Sequence, residues 1–193
     1  MIHSHRLPRI DDSTFVESDR QQVDSILILL DLLNSFVDDF RADLELFNHA
    51  ETDLVSLGHW SRIACRDAAF AILNFQDALD QIKHALKCCA PLKTIERERA
   101  LRAVIGRFGA AFPDAKPIRN VTAHPVSHIG TPKNRKDNKL RGSALLIHNS
   151  RINRTVSHSK NGRLISFDMT DQTLETLGRI QAAAFKVFQE NAE

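Results

Sequence analysis

Apolar residues recur every three or four positions through four long stretches of the chain, at 19–48, 59–89, 94–111 and 171–191. This spacing places the apolar side chains on one face of an α-helix, so it predicts four amphipathic helices. Thr170 directly precedes the last stretch, where an N-cap residue is expected. The apolar positions of the first stretch are Val23, Ile26, Leu30, Leu33, Val37, Phe40, Leu44 and Phe47.

Residues 143–169 follow a different pattern. The dipeptide Asn161-Gly162 is a strong signal for a two-residue hairpin turn, and apolar residues alternate with polar ones after it. The run SALLIH at 143–148 is a candidate for a further short strand. These signals predict a small antiparallel sheet of two or three strands. The cross-strand pairs expected from the turn are His158 with Ile165 and Val156 with Phe167.

A short helix is expected between these regions, because Pro117 can start a helix and Pro125 must stop it. The predicted fold class is therefore mainly α: a helical bundle of four to five helices, with the small antiparallel β insertion at about 143–169 before the last helix. We expect one domain over 1–193, helical at 19–125 and 170–191, with a basic loop and the β insertion at 126–169.

Several residues near the start of the second predicted helix have side chains of interest. Trp60 is predicted to be an anchor in the core, and His59 a helix-start residue. Arg66 and Asp67 are predicted to form a local ion pair, with support of a functional site as the alternative.

The composition is that of an ordinary soluble globular protein, with 42% hydrophobic and 26% charged residues among 193. No run of about 18 apolar residues occurs, so we expect no membrane span. The first twelve residues lack the apolar stretch of a signal peptide. An odd number of cysteines, three, argues for reduced thiols. A cytoplasmic location is expected.

Charge is distributed unevenly. Residues 11–53 carry twelve acidic and two basic side chains, a balance of −10, whereas residues 115–163 carry eleven basic and one acidic, a balance of +10. Clustered positive charge is typical of polyanion binding, and the alternatives are a solvated basic loop or a dimer contact with the acidic helix. The residues predicted to bind RNA are Lys133, Arg135, Lys136, Lys139, Arg141, Arg151 and Arg154.

The segment RNVTAH, residues 119–124, combines Arg119, Asn120 and His124. The imidazole of histidine titrates near neutral pH and can move a proton, and a guanidinium presents a forked, charged donor to phosphate. Positions five apart lie about 140° apart around an ideal helix, so one straight helix does not aim both side chains at one point. The alternatives are a helix-capping role for His124, a surface charge for Arg119 and a turn-forming role for Asn120.

This motif in a mostly helical chain resembles the HEPN superfamily, helical-bundle domains with an Arg, four to six residues and a His, often with a polar residue after the Arg. The resemblance covers about 19–125 and 170–190, within the abortive-infection and toxin-like branch. It implies a metal-independent endoribonuclease that acts as a homodimer, with the catalytic residues Arg119, Asn120 and His124 in a composite site at the dimer interface. Pro125 and the β insertion depart from the simplest family members.

The sequence thus leads to a hypothesis of an RNA-cleaving enzyme of toxin or phage-defence type, with no cofactor and no metal ligand set. RNA, a second copy of the chain, and an antitoxin or other protein partner are the expected partners, with no membrane. The alternative is a non-catalytic dimeric module that binds protein or RNA. A helical nucleic-acid-binding regulator ranks last, because the basic residues lie mostly outside predicted helices. A Gly-rich phosphate loop, a HExxH motif and paired cysteines at zinc spacing are all missing from the sequence.

Overall fold

The computed structural model describes residues 5–52, 57–148 and 150–189, which form seven helices and three strands. The helices are α1 (Glu17–Thr52), α2 (Leu57–Cys88), α3 (Ile95–Ala111), α4 (Ala115–Ala123), α5 (Pro125–Ile129), α6 (Pro132–Asp137) and α7 (Asp171–Lys186). The strands are β1 (Ser150–Ile152), β2 (Thr155–Lys160) and β3 (Arg163–Asp168). Within these described residues, no helix is long and apolar enough to cross a membrane.

The predicted fold class is confirmed: the protein is mainly helical, with a small three-stranded antiparallel sheet before the last helix. The four long helices α1, α2, α3 and α7 begin within two residues of the predicted positions. Thr170 caps α7 through a bond from the Thr173 amide to its hydroxyl oxygen, at 3.2 Å. The helix ends at Lys186, and its predicted end at residue 191 lies outside the described residues.

Two short helices lie where a basic loop was predicted. Pro125 and Pro132 each occupy the start of a helix, where a missing N–H costs nothing. The hydroxyl of Thr131 caps α6 by accepting a hydrogen bond from the Asn134 amide at 3.1 Å. The loop prediction for this segment is therefore wrong in part, because local capping forms helices too short to show a periodic pattern.

The chain divides into two compact units, each built from separate segments. The first comprises the described parts of 1–38, 74–111 and 174–193, and the second comprises those of 39–73 and 112–173. In the first unit, Phe75 and Phe108 stack with ring centroids 5.6 Å apart. Every residue of the predicted catalytic and RNA-binding sets belongs to the second unit.

The sheet of the second unit has the order β1-β2-β3, with both pairs antiparallel. The predicted pairs, His158 with Ile165 and Val156 with Phe167, are confirmed. Asn161 and Gly162 have φ values of 51° and 83°, which place both residues in the left-handed region that a two-residue hairpin turn requires.

The strand predicted at 143–148 is not formed. The first strand is β1 instead, and it begins at Ser150. The Ile147 carbonyl accepts a hydrogen bond from the Ser159 amide at 2.8 Å, while the Ile147 amide donates to the hydroxyl oxygen of Ser159 at 2.8 Å. Because a side chain takes one of these bonds, the segment runs beside β2 without a regular ladder.

Candidate functional site

The helix that carries Arg119 and Asn120 packs on the sheet. Along α4, Ala115, Ile118 and Val121 are buried, and the helix contacts β2 and β3. The apolar spacing of three fixes which face of α4 points inward. Arg119 is left half-buried at the edge of that face and Asn120 is exposed.

The Arg119 guanidinium is held by its neighbour in the sequence. Its Nη1 donates a hydrogen bond to Oδ1 of Asn120 at 3.3 Å. Its Nε is buried and has no hydrogen-bond partner among the described residues. The polar residue after the arginine therefore orients it.

His124 lies at the junction of two helices. Its backbone leaves the helical region, with φ −128° and ψ 60°, while its amide donates to the Asn120 carbonyl at 3.1 Å. Pro125 then begins α5. The histidine is exposed, and its imidazole makes no hydrogen bond to the part of the chain that the structure describes. The break at Pro125 thus leaves the ring of His124 open to solvent.

A cleft of about 300 Å³ lies beside this junction. Thr122 and Pro125, which flank His124 in the sequence, form part of its wall. The rest of the wall comes from the start of α2 and from the sheet region. The remaining lining residues are His59, Ile63, Arg62, Arg66, His148 and His158.

The wall formed by α2 is basic because one histidine and two arginines lie on the same face of this helix. His59, Arg62 and Arg66 are spaced by three and four, which brings their side chains together. An Arg62 Nη2 lies 2.8 Å from Nδ1 of His59. A guanidinium can only donate, so Nδ1 accepts this bond.

Arg66 forms the predicted ion pair, with its Nε 2.9 Å from Oδ1 of Asp67. The same side chain also lines the cleft, and its support of a functional site stays a prediction. Its two Nη groups have no hydrogen-bond partner among the described residues.

Three histidines form a row on the other side. The ring centroids of His128 and His148 are 5.4 Å apart, and those of His148 and His158 are also 5.4 Å apart. Burial, followed by the proximity of His148 and His128, lowers the pKa of His158 to about 4. Burial also lowers the pKa of His128 and that of His148. All three rings are therefore neutral at pH 7.

The row does not have the geometry of a metal centre. Its rings meet in one tilted and one edge-on contact, with interplanar angles of 34° and 67°. Over residues 5–52, 57–148 and 150–189, no three His, Cys, Asp or Glu side chains are arranged to hold a metal ion.

The predicted RNA-binding residues separate into two groups. Lys133, Arg135 and Lys136 lie on α6 and, like Lys139 and Arg141, are exposed. The Arg135 guanidinium donates to the Ile129 carbonyl at 2.9 Å, which ties α6 to the end of α5. This group presents charge to solvent.

The second group, Arg151 and Arg154, contacts the end of α1. Their guanidinium carbons lie 5.1 and 5.5 Å from the ring centroid of Phe47. Arg154 is half-buried, and its Nε donates to the Met169 carbonyl at 2.7 Å and its Nη2 to the Asn48 side chain. Both arginines therefore stabilise the packing of the second unit, and their RNA-binding role stays a prediction.

Sequence reasoning did not connect His59, Arg62, His148 and His158 with a site. The shared face of His59, Arg62 and Arg66 was visible in the spacing, whereas the approach of His148 and His158 depends on contacts between distant segments.

The prediction for Trp60 is wrong, since 50% of its surface is exposed. The neighbouring Ser61 takes the inward-facing position at the start of α2, followed by Ala64 and Cys65. Consecutive residues point about 100° apart around a helix, which turns the indole away from the core.

Comparisons of the chain with protein-family models, with characterised proteins and with solved structures found no match to any of them. The resemblance to the HEPN superfamily therefore rests on the motif and on the helical architecture.

Proposed function

We propose that the protein is a metal-independent endoribonuclease of the HEPN type. The observation that carries this proposal is the location of the motif: His124 is exposed between two residues that line a cleft whose other walls carry arginines and histidines. Arg119 binds the scissile phosphate, Asn120 holds its guanidinium, and His124 acts as general base or general acid.

The reaction needs only these groups. A base removes the proton of a ribose 2′-hydroxyl, and the 2′-oxygen attacks the adjacent phosphorus. The P–O5′ bond breaks and the departing 5′-oxygen takes up a proton, which leaves a 2′,3′-cyclic phosphate and a 5′-hydroxyl. An arginine next to the phosphate stabilises the negative charge that builds up on its oxygens.

The exposed basic residues on and after α6 are suited to hold the RNA strand through its phosphates. Lys133, Arg135, Lys136 and Lys139 all face solvent. Phe167, which follows the basic residues in sequence, is buried and unsuited to base stacking. Contacts of this kind do not select a sequence, so we propose weak sequence preference.

A homodimer completes the proposed enzyme. Two motifs that meet across an interface relax the angular mismatch between Arg119 and His124. We propose a cytoplasmic location, where its three cysteines, none of which forms a disulfide, stay reduced. Restraint by an antitoxin or another protein partner belongs to the same proposal.

The test is cleavage of total RNA in EDTA by the wild type, His124→Ala and Arg119→Ala. We expect the wild type to produce 2′,3′-cyclic ends and each variant to lose at least about 100-fold in rate. The matched controls are His84→Ala and Arg107→Ala, which replace exposed residues of α2 and α3 and should retain full activity. Circular dichroism checks that all variants fold. Cleavage by His124→Ala at the wild-type rate would refute the proposal.

The second candidate is a non-catalytic module that binds another protein. Exposed apolar residues one turn apart on the acidic helix α1, Ile28 at 62% and Leu32 at 39%, favour it. Under this alternative none of the proteins in the cleavage assay cuts RNA, and an Ile28→Lys variant loses partner binding while His124→Ala keeps it.

A further inference from the structure

The cleft beside His124 has the composition of an anion site. Two arginines from one face of α2 and three histidines line about 300 Å³, and none of its lining residues is acidic. We propose that this cleft binds the phosphate group of a single nucleotide, with Arg62 and Arg66 as its charged ligands and His148 as a further hydrogen-bond partner. That the nucleotide belongs to an RNA strand rests on the proposed function, whereas the phosphate site itself does not.

The two arginines are prepared for this role in different ways. The guanidinium of Arg62 donates a hydrogen bond through Nη2 to Nδ1 of His59 at the cleft wall. Arg66 uses Nε for Asp67, and its two Nη groups belong to a side chain that is 54% exposed. A guanidinium fork binds two phosphate oxygens at once, which favours phosphate over a simple halide.

His148 supplies the second observation. Its Nδ1 is buried without a hydrogen-bond partner among the described residues, although the ring lines the cleft. A buried polar atom without a partner is costly, and a small rotation of the ring towards the cleft would bring Nδ1 to a ligand oxygen and remove that cost. In the tautomer with the proton on Nδ1, the neutral ring donates to a phosphate oxygen.

The dimensions fit a small ligand. A volume of about 300 Å³ is at the lower end of the range for small-molecule sites, so the cleft suits one nucleotide and not a folded strand. The Asp67 carboxylate beside Arg66 reduces the local positive charge. The exposed residues of α6 remain outside the cleft for the rest of a strand.

The experiment measures binding of uridine 3′-monophosphate, inorganic phosphate and uridine by calorimetry and by histidine NMR. The full chain is compared with the double variant Arg62→Gln/Arg66→Gln and with His148→Gln. The matched control is Arg99→Gln/Arg107→Gln, which removes the same charge from exposed positions of α3. Arg66→Gln alone serves if the double variant does not fold, since Arg66 is exposed.

We expect the α3 control to bind uridine 3′-monophosphate and inorganic phosphate as tightly as the wild type does. Neither protein should bind uridine. The double variant should bind at least ten-fold more weakly, Arg66→Gln at least three-fold more weakly, and His148→Gln two- to five-fold more weakly. Unchanged binding in the folded arginine variants, or no binding by the wild type at millimolar phosphate, overturns the proposal.

The same proteins separate this inference from the proposed function. Phosphate binding without RNA cleavage by the wild type would leave the site standing as one for a free nucleotide and would remove the nuclease. Cleavage that persists undiminished in a folded Arg62→Gln/Arg66→Gln variant would keep the nuclease and remove the cleft as its substrate site. Loss of both phosphate binding and cleavage in this variant supports both.

Discussion

The buried imidazole of His158 makes the free energy of unfolding depend on pH. Its pKa is about 4 in the folded chain, mainly because of burial, and near 6.5 when unfolded. The unfolded state therefore binds more protons between these values, and the free energy of unfolding falls as the pH is lowered from about 6.5 to 4. Urea titrations across this range should show a smaller decrease for His158→Gln than for the wild type.

His84→Gln, at an exposed position, is the matched control and should follow the wild-type pH dependence. A decrease in His158→Gln as steep as in the wild type would show that this ring does not titrate as described.

The carboxyl group of Asp43 has the opposite effect on the pH dependence of stability. Burial, and then the charges of Asp67 and Asp39, raise its pKa to about 7. The folded state holds the proton more tightly, so stability falls as the pH rises from about 4 to 7 and stays reduced above that. Asp43→Asn should stabilise the protein above pH 7 by about 1 to 2 kcal/mol after allowance for solvent screening, and have little effect at pH 4.

Thermal unfolding of Asp43→Asn at pH 4, 6 and 8 checks this prediction. Asp24→Asn removes a negative charge from an exposed position of the same helix and serves as control. A stabilisation of equal size at every pH would assign the effect to packing and not to ionisation.

The contacts of a single residue could be predicted only where its partner lies close to it in the sequence. Arg119 and Asn120 are neighbours in the chain, and the hydrogen bond between them needs no contact with a distant segment. The contact of His148 with His158 joins β2 to a segment ten residues earlier, and the hydrophobic pattern carries no information about it.

Among the elements, the β2–β3 hairpin was the most predictable, because its turn chemistry determines its register. Gly162 adopts a φ of +83°, and a Cβ at this position would lie 2.7 Å from Cγ of Arg141. Gly162→Ala should therefore destabilise the protein by about 1 to 2 kcal/mol. Chemical denaturation measures the change.

Gly109→Ala in α3 is the matched control, because a Cβ there meets nothing within 4 Å. Alanine favours a helix interior by about 0.5 to 1 kcal/mol over glycine, so this variant should gain stability. Two changes of the same sign would contradict the conformational argument.

Other elements could not be predicted for physical reasons. The run at 143–148 is apolar enough for a strand, but a strand also needs a regular partner, which a single sequence does not reveal. The helices α5 and α6, of five and six residues, are shorter than two turns and show no period. The local signals for these helices in the sequence are their starting prolines and the capping residue Thr131.

At the scale of the whole molecule, charge segregation leads to a prediction about RNA. If phosphates dominate the contact, the logarithm of the association constant falls linearly with the logarithm of the salt concentration, by about 0.7 for each contacted phosphate of a single strand. Replacing both Lys133 and Lys136, exposed on α6, by glutamine should reduce this slope by about 1.4.

Filter binding at several salt concentrations gives the slope, and Lys83→Gln/Lys87→Gln on α2 is the charge-matched control. Affinity that does not change with salt would remove the phosphate-dominated interface.

The long helices and the fold class were predictable from patterning, whereas the division into two compact units depends on contacts between segments far apart in the chain.

The exposed indole of Trp60 provides an intrinsic fluorescence probe for binding at the cleft. The chain has one tryptophan and no tyrosine, so its near-ultraviolet fluorescence comes almost entirely from this ring. The indole is half exposed and adjacent in sequence to His59 on the cleft wall. Occupation of the cleft should therefore change the emission colour or intensity, and an unlabelled sample in a cuvette would show it.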